Sequence, residues 1–138
     1  MKRNKVHIEA TTKVHQITRE GRIVIANMIT RQFDLWQLDV QAQLSLLGLS
    51  KNSMATLRLY RKGAPLANRR DLLDRVTILL SINMSLRELF PQNRELSDRW
   101  PTTPNRVFGG VSPVEFIGKE GFSGLMAVKR YLNTEKDR

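Results

Sequence analysis

Cysteine is absent from the 138 residues of this chain, which excludes disulfides, thiolate metal sites and thiol nucleophiles and fits a reducing compartment such as the cytoplasm. Histidine occurs only at His7 and His15. Both lie in a polar stretch without helical pattern, where nothing would hold an imidazole in the geometry that a general base or a metal site requires. Apolar runs are short, as in ILL at 78–80, against the roughly 18–20 residues of a membrane span. The opening MKRNKVHIEATTKVHQ is positive but has no apolar region of the signal-peptide kind. Alternating strand patterns longer than three or four residues are missing too, so the expected fold class is all-α. Acidic residues are scarce, 13 against 23 Lys and Arg, for a formal charge of +10. Such an excess points to a polyanionic partner, nucleic acid first, with acidic protein and anionic lipid behind it.

A chain of this length can bury roughly two-thirds of its unfolded surface. Residues 1–22 hold six basic and two acidic side chains without periodicity and read as a basic, flexible arm. From Ile23 the helical spacing of Ile23, Val24, Met28, Ile29 and Phe33 predicts the first core helix. Asp39 is a candidate N-cap for a second helix with Val40, Leu44 and Leu47 inward, ended by Gly48 in a left-handed conformation. Ser50 is the expected cap of a third helix, with Met54, Leu57, Leu59 and Tyr60 inward and Gly63 and Pro65 closing it. In RRDLLDRVTILLSI, Leu72, Leu73, Val76, Leu79 and Leu80 form the clearest apolar stripe. SLREL at 85–89 reads as a capping box, Ser85 with Glu88, opening a separate short helix stopped by Pro91. The stretch PQNRELSDRWPTTPN reads as a non-helical connector pinned by Trp100. Beyond it, Ser112, Pro113 and Glu115 stand at N-cap, N1 and N3 of another helix. Gly118 and Gly121 are expected to separate a helix at 113–117 from a last one at 122–132 that carries Leu125, Val128 and Leu132 inward. This divides the chain into the arm 1–22, a helix-turn-helix region 23–80 and a small helical C-terminal region 81–138.

The unit from Asp39 to Gly63 has helix, glycine turn and basic helix in helix-turn-helix order. Its second helix would present Lys51, Asn52, Ser53 and Thr56 to base edges, and Arg58, Arg61 and Lys62 to phosphates. Seven basic residues face two acidic ones between Lys51 and Arg75, although Leu44 stands where a compact helix-turn-helix usually has a small side chain. A solvated basic face and an ordinary three-helix turn are the alternatives. Catalysis finds little: EGFSGL around Ser123 brings its second glycine one position early for a nucleophile elbow, and GK at 118–119 lacks the upstream glycine of a phosphate loop. No enzyme, catalytic residue, metal or cofactor is expected. Phe108, Phe116, Phe122, Met126 and Tyr131 divide between the interior and a surface that receives a partner.

Read in order, Trp36 with Leu38, LLGLS at 46–50, RDLLDRVTILLSI, LRELF at 86–90, Trp100, PNRVFGGVSPVEFI and GLMAVKRYL resemble the Xre/MbcA/ParS family of bacterial antitoxins over about residues 22–133. The block PN-x-x-FGG-x-SP at 104–113 is the most specific piece. The resemblance implies an Xre-like helix-turn-helix region joined to a C-terminal toxin-binding domain, in a type II toxin-antitoxin system. The partner it implies is a RES-domain toxin that consumes NAD, whose active-site cleft the antitoxin covers. It further implies promoter DNA as a second ligand, autorepression and a cytoplasmic homodimer. Carried onto this chain, the toxin-binding surface would be Phe108, Gly109, Gly110, Ser112 and Pro113 as the shaped entry. Lys129, Arg130, Tyr131, Leu132 and Asn133 would reach the cleft, the two cations suiting a pocket made for a pyrophosphate. A stand-alone Xre-like regulator with a dimerising C-terminal hairpin is the main alternative, and an RNA-associated basic protein is a third.

Overall fold

The computed structural model describes residues 17–138. The arm, with His7 and His15, lies outside the described residues except for its last few positions. Seven α-helices follow: α1 (Arg19–Leu35), α2 (Val40–Leu47), α3 (Met54–Arg61), α4 (Arg70–Leu89), α5 (Arg94–Arg99), α6 (Pro113–Glu120) and α7 (Phe122–Lys136). Short 3₁₀ turns at Trp100–Thr102 and Arg106–Phe108 link α5 to α6. The described residues contain no strand, so the all-α expectation holds.

The first helix starts at Arg19, not Ile23, because Thr18 caps it: its hydroxyl accepts from the Gly21 amide at 3.0 Å. Its core stripe is Ala26, Ile29, Thr30, Phe33 and Trp36. Val24 and Met28, expected inside, are 57% and 50% exposed. The periodicity admitted two overlapping stripes, and Phe33 with Trp36 decides for the one that buries more ring surface. α2 is capped as the sequence predicts, with Asp39 Oδ1 accepting from the Ala42 amide at 2.8 Å and Gly48 left-handed at φ 70°. Val40 turns outward, while Leu44, Leu46 and Leu47 fill the core.

α3 begins later than expected. Ser50 does not cap it; the Ser53 amide bonds back to the Ser50 carbonyl, so 50–53 form a turn and the helix opens at Met54. Only Leu57 and Tyr60 face inward there, while Met54 and Leu59 are exposed.

α4 is one helix of 20 residues, without a break at Ser85. The supposed capping box fails because Leu79, Ile82 and Leu86 continue the buried stripe with no glycine or proline to interrupt it. Ser85 is buried in mid-helix, and its hydroxyl is taken by Lys129 Nζ at 3.1 Å. The boundary drawn at residue 80 thus falls inside a continuous element. The connector is also not free of helix. Asn93 Oδ1 accepts from the Leu96 amide at 3.0 Å and opens α5, which Arg94–Asp98 and Arg99–Glu95 pairs bridge at i,i+4. α6 runs through Gly118 to Glu120, and α7 runs past Leu132 to Lys136. Leu125, Val128 and Leu132 lie inward on α7 as predicted. α7 packs along α4 and against α6, while α1 packs on α3 and α4, so α4 is the axis both halves share.

Candidate functional site

Two surfaces carry the residues singled out by the sequence. On the helix-turn-helix, Lys51 and Asn52 sit in the turn before α3, half-buried Ser53 is its cap position, and half-buried Thr56 alone of the four lies in its first turn. Arg61 is engaged within the chain. Its guanidinium donates to Asp34 Oδ2 at 3.0 Å and to Gln43 Oε1 at 2.8 Å, with a further ion pair to Asp34 at 2.9 Å. Gln43 is itself buried and donates to the Leu38 carbonyl, so Arg61 ties α3 to the end of α1 and to α2. Lys51, Arg58 and Lys62 are exposed, and none of them has a carboxylate partner within 4 Å among the described residues. Met54 and Val40 add apolar surface beside them, flanking a shallow groove with Arg58. Leu44, the bulky residue in the small-residue position, is fully buried beneath α2.

The second surface is the loop and hairpin after α5. Asn105 organises the loop: its amide donates to the Val111 carbonyl, and its own carbonyl accepts from the Phe108 and Gly110 amides, all at 3.0 Å. Its side chain accepts from the Val107 amide at 3.0 Å. This closed turn needs φ of 78° and 88° at Gly109 and Gly110. A Cβ at either would meet nothing within 4 Å, so glycine is required there by backbone conformation and not by space. Ser112 and Glu115 then form the capping box read from sequence, with both reciprocal bonds present and Pro113 at N1.

An aromatic cluster locks this loop to the hairpin. Phe108 meets Phe116 at 5.0 Å and Tyr131 at 5.6 Å between ring centroids, and Trp100 stacks on Tyr131 at 6.3 Å with planes 9° apart. Such geometry adds about 0.5–1.5 kcal/mol per pair beyond burial. Consequently the ten residues expected to touch a toxin do not share one surface. Phe108, Ser112, Pro113 and Leu132 are buried within the chain and shape the surface from beneath. Tyr131 is half-buried in the cluster, and burial first, then Glu135, raises its phenol pKa above 10.0 against the opposing Arg138. Lys129 is half-buried against α4, bonded to Ser85, and burial first, then Lys136, lowers its pKa below 10.5 against the pull of Glu88. Gly109, Gly110, Arg130 and Asn133 face outward.

Phe122 and Met126, 39% and 36% exposed, are surface residues that sequence reading left undivided between core and partner. The available signal was their offset from Leu125, Val128 and Leu132: at the helical period Met126 falls well over a quarter-turn from the centre of that stripe and Phe122 at its edge. Arg75 lies over the Phe122 ring at 5.9 Å. Among the described residues no group of three His, Asp or Glu is placed to hold a metal ion, and no helix is long and apolar enough to cross a membrane.

An aromatic cluster under a closed glycine loop, a capped helix and an amphipathic return helix make a two-helix module at this end of the chain. Residues 85–137 match the family model of the antitoxin Xre/MbcA/ParS C-terminal toxin-binding domain. The match begins at Ser85, in the last turn and a half of α4, and ends just past α7, so it covers this module and leaves α1–α3 and most of α4 outside. A domain of that description implies a toxin as partner. No curated protein and no solved structure gives a significant match.

Proposed function

We propose that the chain neutralises a RES-type, NAD-degrading toxin by laying its α6–α7 hairpin over the active-site cleft. In the same reading it acts as a homodimer, does no chemistry itself, and binds its own promoter through α2 and α3 as an autorepressor. The observation that carries the toxin part is the family match on a module whose outward face holds Arg130 with no carboxylate partner within 4 Å among the described residues. A cation so placed suits a cleft that binds a pyrophosphate. Asn133 stands one turn further on the same helix, and the Gly109–Gly110 turn supplies a flat approach.

The test is co-expression with the product of the adjacent gene. Deleting residues 124–138 would remove Leu125, Val128 and Leu132 from the core, so point changes at exposed positions are the better probe. Arg130→Glu with Asn133→Ala is expected to abolish growth rescue and co-purification while leaving the helical circular dichroism unchanged. Full rescue by that double variant would show that this face does not block the toxin. A second reading, a stand-alone regulator, draws on Lys51, Arg58 and Lys62 being unpaired around α3. It predicts salt-sensitive operator binding with no toxic neighbour, each lost phosphate contact flattening the salt slope by about 1.

A further inference from the structure

The side of α1 opposite its core stripe carries Glu20, Val24, Met28, Arg31 and Leu35, all within an arc of about 100°. Val24, Met28 and Leu35 are 57%, 50% and 44% exposed. Alongside, α4 contributes Met84 at 64% exposed and half-buried Leu80, and a groove of about 250 Å³ runs between the two helices. Gln32 and Asn83 line it, and their Nε2 and Oδ1 atoms are buried without hydrogen-bond partners. Unpaired amide atoms of this kind are costly and favour closure by further polar contacts.

For a chain of net charge +10 this face is poor in charge. Its two ionised side chains, Glu20 and Arg31, have opposite signs, and neither has an ion-pair partner within 4 Å among the described residues. They stand eleven positions apart, three helical turns or roughly 16 Å, on the same side. If two α1 helices lie antiparallel about an axis between Ile25 and Ala26, Glu20 of each reaches the level of Arg31 of the other. Val24 then meets Met28 across the axis. A two-fold contact requires a surface complementary to itself, and this register supplies it in both apolar and charged positions. Elsewhere two copies repel through their excess of cations, which favours contact where charge is sparse and balanced.

We propose that this α1–α4 face is the homodimer interface, its occupant a second copy of the chain in antiparallel α1 register. The inference rests on the homodimer part of the proposed function and names a surface that toxin occlusion by α6–α7 does not use.

Sedimentation or light scattering of the purified full chain over a concentration series tests it. The wild type is expected to give a dimer and Met28→Glu a monomer of unchanged helicity. Glu20→Arg and Arg31→Glu each place two like-charge pairs in the contact, and each is expected to weaken the dimer roughly 100-fold. Combining the two reversals restores it. These charge changes lie on the surface, so they keep the test decisive even if Met28→Glu folds poorly. A monomeric wild type, or a dimer indifferent to Met28→Glu, overturns the interface. Failure of the double reversal to recover association overturns the register. Loss of toxin binding in Met28→Glu with a monomeric wild type would assign the face to the toxin instead, whereas Arg130→Glu failing alone leaves the dimer proposal intact.

Discussion

The two helix pairs that bear the candidate surfaces are built in contrasting ways. α2 and α3 are joined by residues 48–53 and held by polar groups: Arg61 clasps Asp34 and Gln43 across three helices. α6 and α7 are joined by Gly121 alone and held by rings, with Phe108 at the centre of Trp100, Phe116 and Tyr131. The first arrangement spends a cation on its own architecture and leaves Lys51, Arg58 and Lys62 exposed without a carboxylate partner among the described residues. The second packs its aromatics around buried Phe108 and leaves Gly109, Gly110, Arg130 and Asn133 outward, with Phe122 and Met126 partly exposed. A basic residue in a basic helix is therefore no index of contact. Arg58 and Arg61, one turn apart, have different jobs because only one of them finds a carboxylate.

The largest break in that contrast comes from the ring-held half. Phe108→Ala removes the hub of the cluster and is expected to cost about 3–5 kcal/mol, read as a drop in the denaturant midpoint. If the loss is under a third of that, the cluster does not hold the hairpin. In the polar-held half, Arg61→Ala leaves the Gln43 acceptor unpaired and should cost about 1–3 kcal/mol. Arg58→Ala is expected to leave stability within about 0.5 kcal/mol and, where the chain binds DNA, to lower the salt slope by about 1. Equal destabilisation by the two substitutions would erase the distinction between them. Gly48→Ala sharpens the comparison of turns. At φ 70° with a Cβ 2.7 Å from Arg75 Nε, the alanine must strain the backbone and displace a flexible side chain, for a loss of roughly 1 kcal/mol or more. A midpoint equal to the wild type would contradict this.

The smallest effect is a pH dependence. Folding lowers the pKa of Lys129 chiefly by burial, so just below 10.5 the unfolded chain holds that proton more tightly than the folded one. Stability contributed by this group therefore rises with pH through that window. Tyr131, raised above 10.0 by burial, acts in the opposite sense as it ionises. Lys129→Met should remove the rise and keep the fall in an alkaline denaturation series; an unchanged profile refutes the assignment.

Much of this was legible in the residues, and the failures share a cause. Asp39, Gly48 and the Ser112–Pro113–Glu115 start act locally, through side-chain-to-backbone bonds a few residues apart, and sequence reads such bonds directly. Ser85 followed by Glu88 has the same signature, yet the structure gives the Ser85 hydroxyl to Lys129, 44 residues away. No local pattern contains that competitor. α5 escaped because its composition is polar, although Asn93 and its i,i+4 ion pairs were present as signals. The face of α1 was misassigned because Thr30 and Gln32, polar but buried, left the inward stripe without a clean apolar outline. At the toxin-binding segment the residue types pointed to a surface, whereas Phe108 is buried against rings brought from Trp100 and Tyr131.

α4 passes without interruption from the basic region into the matched domain. With 20 residues it is about 30 Å long, and a tilt of about 5° about Ser85 would move Arg70, roughly 22 Å away, by roughly 2 Å. Since α4 packs on α7 as well as on α1 and α2, the matched segment and the basic region share one rigid rod without an intervening joint.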